Sequence, residues 1–534
     1  MAIYFNGNII TLEENKTAEA FCIRNGSFLA VGSEKEILKL KQPNEELIDL
    51  MGRTIVPGFN DSHMHFLGYA VFKSRVNLSE VSSIDELIEK TKQYIKENNI
   101  SKGEWVISRG WNDNHFKELR LPNRFDLDKI STDHPIFFSR VCGHIGVANS
   151  KALELCNITS ISDNPEGGII DKENNQPTGI LRENAMNYIF ENLPSITKED
   201  IKKVLKSAFE DALSCGLTTI HTEDMGTAGD LKTLIDAYKE LETEKHLPLR
   251  FVLQLNLNNI KLIEKAKSLG IKSRLGSNRL NIGVLKLYQD GSLGGRTAAM
   301  EKPYEDADTD GVTIYSQEEL DALVLEAHRA GFQIAIHAIG DRAMRMILDS
   351  YEKVKRLYPN KDLRPIIIHC QFTNKDLLER FRNLGVVANV QPSFVMTDFP
   401  IVEKAVGKER AVESYNWKTI LDMGINVSFS SDAPIESFNP LYGIHAAVTR
   451  KDLIGSPFEG WYKEQCISVE EALKAFTLGS AYANFEETIK GSIAPGKLAD
   501  FVVLSDNILS ITPDNIKDIV VLETYVDGKQ VYKR

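Results

Sequence analysis

Two histidines, His63 and His65, stand one residue apart in the segment PGFNDSHMHF, directly after an apolar run. Residues i and i+2 of a strand point to the same face, so both imidazoles can bind one ion at the carboxyl end of that strand. Two histidines so spaced also occur by chance in loops. The pair therefore indicates a metal site without establishing one.

Three other strand-like runs end in the same manner: QIAIHA in His337, PIIIHC in His369 and VSFSSD in Asp432. A single histidine at a strand end is more often a core residue than a ligand. Five such groups on four strands are hard to explain as packing, and the strand ends of a barrel open onto one cup. Imidazole nitrogen and carboxylate oxygen without thiolate favour Zn²⁺, with Mn²⁺, Fe²⁺ or Ni²⁺ as alternatives. This many ligands indicates either two ions per chain or one member that acts as a base.

Lys286 lies in the run IGVLKLYQDGS and shares a strand face with Val284 and Tyr288, which predicts an inward side chain among apolar groups. A buried lysine tends to lose its proton. The neutral amine can react with carbon dioxide to form a carbamate, an anionic ligand that bridges two metals. The alternative is a lysine that extends to the barrel mouth or pairs with Asp290.

The elements that must position these residues alternate between apolar strands and amphipathic helices. Helical stretches such as KEDIKKVLKSAFEDALSCG carry apolar residues at three- and four-residue spacing and end in glycine. Eight strand and helix units predict an α/β fold, a closed parallel (β/α)8 TIM barrel. The candidate strands are residues 54–59, 217–222, 250–257, 280–288, 333–338, 365–370, 386–390 and 425–430.

Both ends of the chain have β-strand patterns. Asn-Gly turns at Asn6 and Asn25 separate short apolar runs, and the C-terminus contains ADFVVLS and IVVLETYVDG. We expect the two ends to form one small β-sandwich. The predicted domains are a composite sandwich, a barrel and an inserted subdomain that follows barrel strand one and covers the active site, because its length exceeds any ordinary loop. They span 1–57 with 489–534, 58–76 with 195–488, and 77–194.

Composition limits the partners of this 534-residue chain. It has 63 basic and 75 acidic residues, and its net charge of −12 opposes nucleic-acid binding. No basic leader or run of about 18 apolar residues is present, which predicts a cytoplasmic protein without a membrane partner. Six cysteines without a CxxC pair favour neither disulfides nor a thiolate zinc site. For assembly there is only the general precedent that soluble oligomers are most often homodimers.

Together these motifs resemble the amidohydrolase superfamily, and more closely its branch that includes N-substituted formamide deformylases. The resemblance spans nearly the whole chain and rests on PGFNDSHMHF, RVCGHIGVANSKAL, KLYQDGSLGGRTAAM, SSDAPIE and GSIAPGKLADFVVL. It implies zinc, two ions per chain, on the barrel strand ends, with a carboxylated Lys286. The implied ligands are His63, His65, Lys286, His337, His369 and Asp432. The inferred mechanism is attack by metal-activated water, with Asp432 as general base and then acid.

Candidates for substrate binding come from two other regions. The insertion places RGWNDNHF and RVCGHIG, with Arg109, Trp111, His115 and His144, where a lid would lie. The family motif suggests that His144 donates a hydrogen bond to the substrate oxygen, which makes it a candidate catalytic residue. The loop QDGSLGGRT adds Asp290 and Arg296, which could equally form an ion pair with each other, and His221 is expected to support the ligands.

The preferred function is hydrolysis of a linear, non-peptide carbon–nitrogen bond in a small N-acyl or N-formyl amine. A cyclic amidase or deaminase is the first alternative, because one barrel supports many reactions. The second is a non-catalytic regulator that binds a metabolite. Such a regulator should have lost metal ligands, whereas every candidate ligand is present here, and metal content and turnover would separate the two.

Overall fold

The computed structural model describes residues 2–43 and 45–534, and its central sheet is an eight-stranded parallel barrel. Neighbouring strands pair in chain order, which confirms the predicted (β/α)8 fold. The last strand meets the first where Ser62 Oγ donates to the Phe429 carbonyl over 2.7 Å. The strands are Phe59–Met64, Leu217–Glu223, Arg250–Asn256, Leu280–Tyr288, Ile334–Ala338, Ile366–His369, Val387–Val390 and Val427–Phe429.

The first barrel strand begins later than the sequence pattern predicts. Residues 54–59 read as one strand, but the structure splits them at Gly58. The segment Thr54–Pro57 pairs with strands at both ends of the chain, and the barrel strand is Phe59–Met64. An added Cβ at Gly58 would lie 2.3 Å from Thr218 Oγ1, so only glycine lets the chain pass between the two sheets here.

Helices cover the outside of the barrel. The helix Gln317–Arg329 shows why: Ser316 and Glu319 form a capping box, acidic residues occupy its first turn, and buried leucines face the sheet. Nine other helices of the barrel unit also bury apolar residues. They are Lys198–Ser214, Leu231–Thr243, Ile260–Ser268, Asp341–Leu357, Lys375–Leu384, Phe394–Val406, Trp417–Asp422, Pro440–Thr449 and Val469–Lys474.

The two ends of the chain form the predicted β-sandwich. One sheet contains Ala2–Phe5, Ala20–Arg24, Ser27–Gly32 and Glu46–Asp49, and the other contains Asn8–Ile10, Thr17–Ala18, Thr54–Pro57, Phe501–Leu504, Val521–Val526 and Lys529–Lys533. Aromatic rings from both ends share one core. Phe501 stacks on Tyr525 with ring centroids 4.3 Å apart, and Phe21 meets Phe501 at 5.1 Å. Both ends of the chain therefore contribute to one hydrophobic core.

A buried ion-pair cluster connects the barrel to the C-terminal strands. Arg250, the first residue of the third barrel strand, donates to both carboxylate oxygens of Asp500 over 2.7 and 2.8 Å. Arg250 also pairs with Asp527. Arg250 and Asp500 are both buried, so removal of either would leave an uncompensated charge.

The insertion forms a separate compact unit, Tyr69–Thr197, compared with the 77–194 expected from the sequence. Its five-stranded sheet packs against short helices around Trp111 and Phe138. The strands, in sheet order, are Gly168–Glu173, Gln176–Glu183, Ile145–Ala148, Ile136–Arg140 and Val106–Trp111. Its helices are Ile84–Glu97, Arg124–Asp128, Ser150–Leu155 and Asn187–Phe190, and the helix Phe66–Lys73 leads into it.

Candidate metal centre

Six candidate ligands lie at the carboxyl ends of the barrel strands. His63 is inside the first strand and His65 is the next residue but one. The fourth strand carries Lys286, and the fifth carries His337. His369 is the last residue of the sixth strand, and Asp432 follows the eighth strand by three residues. Parallel strands expose their carboxyl ends at one mouth of the barrel, so these residues come from five strands to one place.

The side chains converge on the carboxylate of Asp432. Its Oδ1 lies 3.4 Å from His63 Nε2 and 3.3 Å from His65 Nε2. Lys286 Nζ is 3.5 Å from His63 Nε2. The rings of His337 and His369 lie 4.4 Å apart, and those of His63 and His369 lie 6.3 Å apart. All six residues therefore belong to one cluster.

The Nδ1 atoms of the four histidines all lie close to an oxygen atom. The pairs are His63 with Gln254 Oε1 at 2.6 Å, His65 with the Glu223 carbonyl at 2.8 Å, His337 with Asp290 Oδ1 at 2.9 Å, and His369 with Gln391 Oε1 at 2.8 Å. Nδ1 has hydrogen-bond geometry to an oxygen in His63, His65 and His369, whereas Nδ1 of His337 is close to an oxygen without forming a hydrogen bond. His63 and His65 direct the other ring nitrogen, Nε2, to Asp432. Such an arrangement fixes imidazoles as metal ligands.

The spacing of the donors also fits a transition metal. Bonds of about 2.1 Å to nitrogen and oxygen separate neighbouring donors of a tetrahedral site by about 3.4 Å. Asp432 Oδ1 has that separation from both His63 Nε2 and His65 Nε2. Of the residues that the structure describes, only these three form a close group of histidine, cysteine and acidic ligand atoms.

Burial favours the neutral forms of His63, His369 and Lys286. Removal from water, reinforced by the charge of Lys286, lowers the pKa of His63 well below its ordinary value. Burial and the neighbouring His337 do the same to the pKa of His369. Burial also lowers the pKa of Lys286 to about 8, although carboxylates nearby oppose the shift. Neutral imidazoles bind metal without first losing a proton.

His65 and Asp432, in contrast, are held in their charged forms. Burial works against charge on both His65 and Asp432, but their mutual contact prevails and holds the pKa of Asp432 well below its usual range. Asp432, together with Glu223, raises the pKa of His65 to about 10. Asp432 is therefore ionised, as a ligand or a general base must be.

The backbone at two ligands is strained. His369 has a φ of 82° and Asp432 a φ of 58°, both in the left-handed region that non-glycine residues avoid. Each such residue costs on the order of 1–3 kcal/mol and persists only where neighbours hold it in place. The Asp432 amide is held by the His63 carbonyl over 2.9 Å, which joins the first strand to the last loop.

Several residues of the centre were not identified from the sequence. Glu223 Oε2 lies 3.3 Å from His65 Nδ1 and accepts a hydrogen bond from the Tyr288 hydroxyl, also over 3.3 Å. Glu223 lies two residues after His221 on the same strand face, so the strand pattern that identified His221 could also have identified Glu223. His221 itself is buried beside Lys490 and Glu486, and burial lowers its pKa to about 3.

The two loop residues predicted to bind substrate have other contacts. Asp290 is buried, lies against His337 and accepts backbone hydrogen bonds from Ala299 and Gly340 over 3.0 and 2.8 Å. Arg296 pairs with Asp306 over 2.6 Å, so the expected alternative of an ion pair between Asp290 and Arg296 does not form. These contacts place Asp290 beside His337, a candidate metal ligand.

The remaining candidates lie in the inserted unit. Trp111 is fully buried in its core and donates to the Phe138 carbonyl over 3.2 Å. Arg109 donates to the Val141 carbonyl over 3.1 Å. His144 is two-thirds exposed and lies 2.9 Å from the carboxylate of Glu183, which raises its pKa. His115 lies in a short 3-10 turn, Asp113–His115.

No helix within the described part of the chain is long and apolar enough to cross a membrane.

Known proteins resemble this chain in both sequence and fold. The amidohydrolase family profile matches residues 46–532. A putative amidohydrolase of Bacillus subtilis, YtcJ, is 34% identical over 538 residues, 100% of this chain and 99% of that protein. The N-substituted formamide deformylase of Arthrobacter pascens is 28% identical over 546 residues, 99% and 98% of the two chains. The crystal structure of a metal-dependent hydrolase from Pyrococcus furiosus is 30% identical, covers 95% of this chain and 100% of its own, and superposes with a TM-score of 0.79.

Proposed function

The chain belongs to the amidohydrolase family, and we propose that it hydrolyses a linear, non-peptide carbon–nitrogen bond in a small N-acyl or N-formyl amine. One observation carries the proposal: His63 and His65 direct Nε2 to a single ionised aspartate, Asp432, and the rings of His337 and His369 lie in the same cluster. A relative over the full length, the Arthrobacter pascens protein, is named as an N-substituted formamide deformylase, which supports the substrate class.

The proposed cofactor is Zn²⁺, two ions per chain, with Mn²⁺, Fe²⁺ or Ni²⁺ as alternatives for the same donors. His63, His65, His337, His369 and Asp432 would hold the ions. When bound, zinc would acidify a water molecule and polarise the scissile carbonyl.

Lys286, in a carboxylated form, would be a further ligand to the metal. Its Nζ is fully buried, 3.5 Å from His63 Nε2 and 4.7 Å from the centre of the Tyr288 ring. No carboxylate of residues 2–43 and 45–534 comes within ion-pair distance of it. Addition of the amine to carbon dioxide, with loss of one proton, supplies the missing anion.

Asp432 is proposed as the group that moves the proton. Its carboxylate would accept the proton of the attacking water and return it to the leaving nitrogen, so that the amine departs neutral. His144 is proposed to donate a hydrogen bond to the substrate oxygen, and Arg109 is proposed to bind the substrate. The contacts of Trp111, Asp290 and Arg296 favour roles in packing and positioning over direct substrate contact. Three further features remain predictions from the sequence: that the insertion covers the site, that the protein is cytoplasmic, and that it forms a homodimer.

The test is turnover of a panel of N-formyl amines, N-acyl amines, cyclic amides and amino heterocycles by protein loaded with zinc. We expect release of formate or another acid from linear amides, with loss of activity in His63→Ala and Asp432→Asn. The matched control is His246→Gln, because His246 pairs only with Glu244 at the surface. Turnover of rings alone would identify a cyclic amidase or deaminase, and metal binding without any turnover would identify a regulator.

A further inference from the structure

A cavity of about 170 Å³ lies in the barrel unit among the loops that follow four barrel strands, those carrying Lys286, His337 and His369 and the one preceding Asp432. Ile339 and Gln371 are each two residues after a candidate ligand, His337 and His369. Phe394, on another side of the cavity, has its ring stacked 5.7 Å from that of His369. The cavity therefore adjoins the proposed reaction centre.

Two carboxylates line this cavity. Asp398 accepts a hydrogen bond from the hydroxyl of Tyr415, and Gln371 Nε2 is 3.4 Å from its Oδ2. Glu436 accepts from the Thr397 hydroxyl over 2.7 Å. Within residues 2–43 and 45–534, neither carboxylate has a lysine, arginine or histidine at ion-pair distance. Burial raises the pKa of both groups, and the negative charge of Asp398 adds to the effect at Glu436.

A third polar group in the cavity lacks a partner. The side chain of Gln371 is only 2% exposed, and its Oε1 has no hydrogen-bond partner in the described chain. A buried carbonyl oxygen without a donor costs about 1–3 kcal/mol. Its position beside Asp398 means that one ligand with several donors could satisfy both groups.

We propose that this cavity binds a protonated amino group of the substrate, so that the preferred substrates are N-acyl or N-formyl amines carrying a second, cationic amine. The inference rests on the proposed function. An ammonium ion has three donors and no acceptor, which matches Asp398, Glu436 and Gln371 Oε1. Phe394 and Leu293 provide an apolar wall for the aliphatic stem and an aromatic face for the charge.

The size and composition of the cavity argue against other occupants. Pockets that hold a whole small molecule usually measure about 300–1,000 Å³, so this one accommodates a single substituent. A hard metal cation would require six or so oxygen ligands and would gain nothing from Phe394 or Leu293. The only close ligand cluster of the described residues is the one at Asp432.

The first experiment compares two formamides of nearly equal size on the zinc enzyme: monoformylated diaminobutane, which ends in an ammonium group, and formylated pentylamine, which ends in a methyl group. Charge-assisted hydrogen bonds predict a kcat/KM about tenfold or more higher for the cationic amide. Asp398→Asn and Glu436→Gln should reduce that ratio towards one. Glu409→Gln, a matched change of an exposed acid on the next helix, should preserve the ratio.

Equal rates for the two amides, or equal losses on both in the Asp398 and Glu436 variants, would overturn the proposal. If neither amide is hydrolysed, the proposed function fails and the cavity is tested by binding alone. Butylamine should then raise the melting temperature of the wild type, but not of Asp398→Asn or Glu436→Gln, while butanol has no effect. Absence of a shift, or a shift produced by Ca²⁺ and abolished by the same variants, would overturn the amine site.

Discussion

The replacement of Gln254 by methionine should weaken metal binding without altering any ligand. Gln254 is buried on the third barrel strand, where its Oε1 holds His63 Nδ1 at 2.6 Å and its Nε2 donates to the Ser62 carbonyl over 3.0 Å. Gln254→Met keeps a side chain of similar volume but removes both contacts. The His63 ring is then free to rotate and to change tautomer.

The magnitude follows from these two contacts. Loss of a group that orients a metal-binding histidine typically reduces affinity about 10- to 100-fold, or about 1.4–2.7 kcal/mol. The Ser62 carbonyl also loses its shortest side-chain donor, because Asn389 Nδ2 is 3.4 Å away. That loss should lower the free energy of unfolding of the ion-free protein by about 1–3 kcal/mol.

The assay is competition for zinc between the protein and a calibrated chelator, with denaturant unfolding of the ion-free protein in parallel. Gln333→Met is the matched control. Gln333 is also buried, and its Nε2 donates to the Arg364 and Ala483 carbonyls over 2.7 and 2.8 Å. It precedes the fifth barrel strand, at the end of the barrel opposite the candidate metal ligands. It should lose stability and keep its zinc affinity. The reasoning fails if both variants bind zinc as the wild type does, or if both weaken equally.

Three other perturbations follow from the fold. Arg250→Met should lower the free energy of unfolding by about 3–5 kcal/mol, since it leaves Asp500 buried and unpaired; adding Asp500→Leu should recover much of the loss in denaturant titrations. Trp111→Ala should cost about 3–5 kcal/mol and expose the insertion to limited proteolysis, whereas a raised KM with normal stability would favour substrate contact instead. The pKa of His221 is about 3 in the folded protein and about 6.5 in the unfolded chain. As the pH falls from about 6.5 towards 3, the unfolded chain therefore binds a proton that the folded protein does not, and the free energy of unfolding decreases. His221→Gln should therefore show a shallower loss of stability between pH 7 and about 5, measured with chelator present, and an unchanged slope would contradict this assignment.

The convergence of the strand-end residues could be expected from sequence because parallel strands in a barrel share one mouth. The structure places His337 and His369 at the ends of their strands, and Lys286 points inward from the fourth strand. Asp432 lies three residues beyond a short strand, on a left-handed backbone that the sequence pattern does not reveal.

The contacts that orient these ligands could not be expected. Gln254 is 191 residues from His63 in the chain, and Gln391 lies 22 residues beyond His369. Each appears in the sequence as one polar residue beside an apolar run, and nothing local identifies its partner across the barrel. The first barrel strand was misplaced for a similar reason: residues 54–57 have the apolar pattern of a strand, but only the distant pairing with Phe501–Leu504 shows that they belong to the sandwich.

The central claim is that the histidine and aspartate cluster holds catalytic metal. The most direct measurement is the metal-to-protein ratio by elemental analysis of protein purified without chelators, for the wild type and His63→Ala, with His246→Gln as control. We predict about two zinc ions per chain in the wild type and the control, and a marked loss in His63→Ala. A wild type without transition metal, or a His63→Ala protein with its full complement, would contradict it.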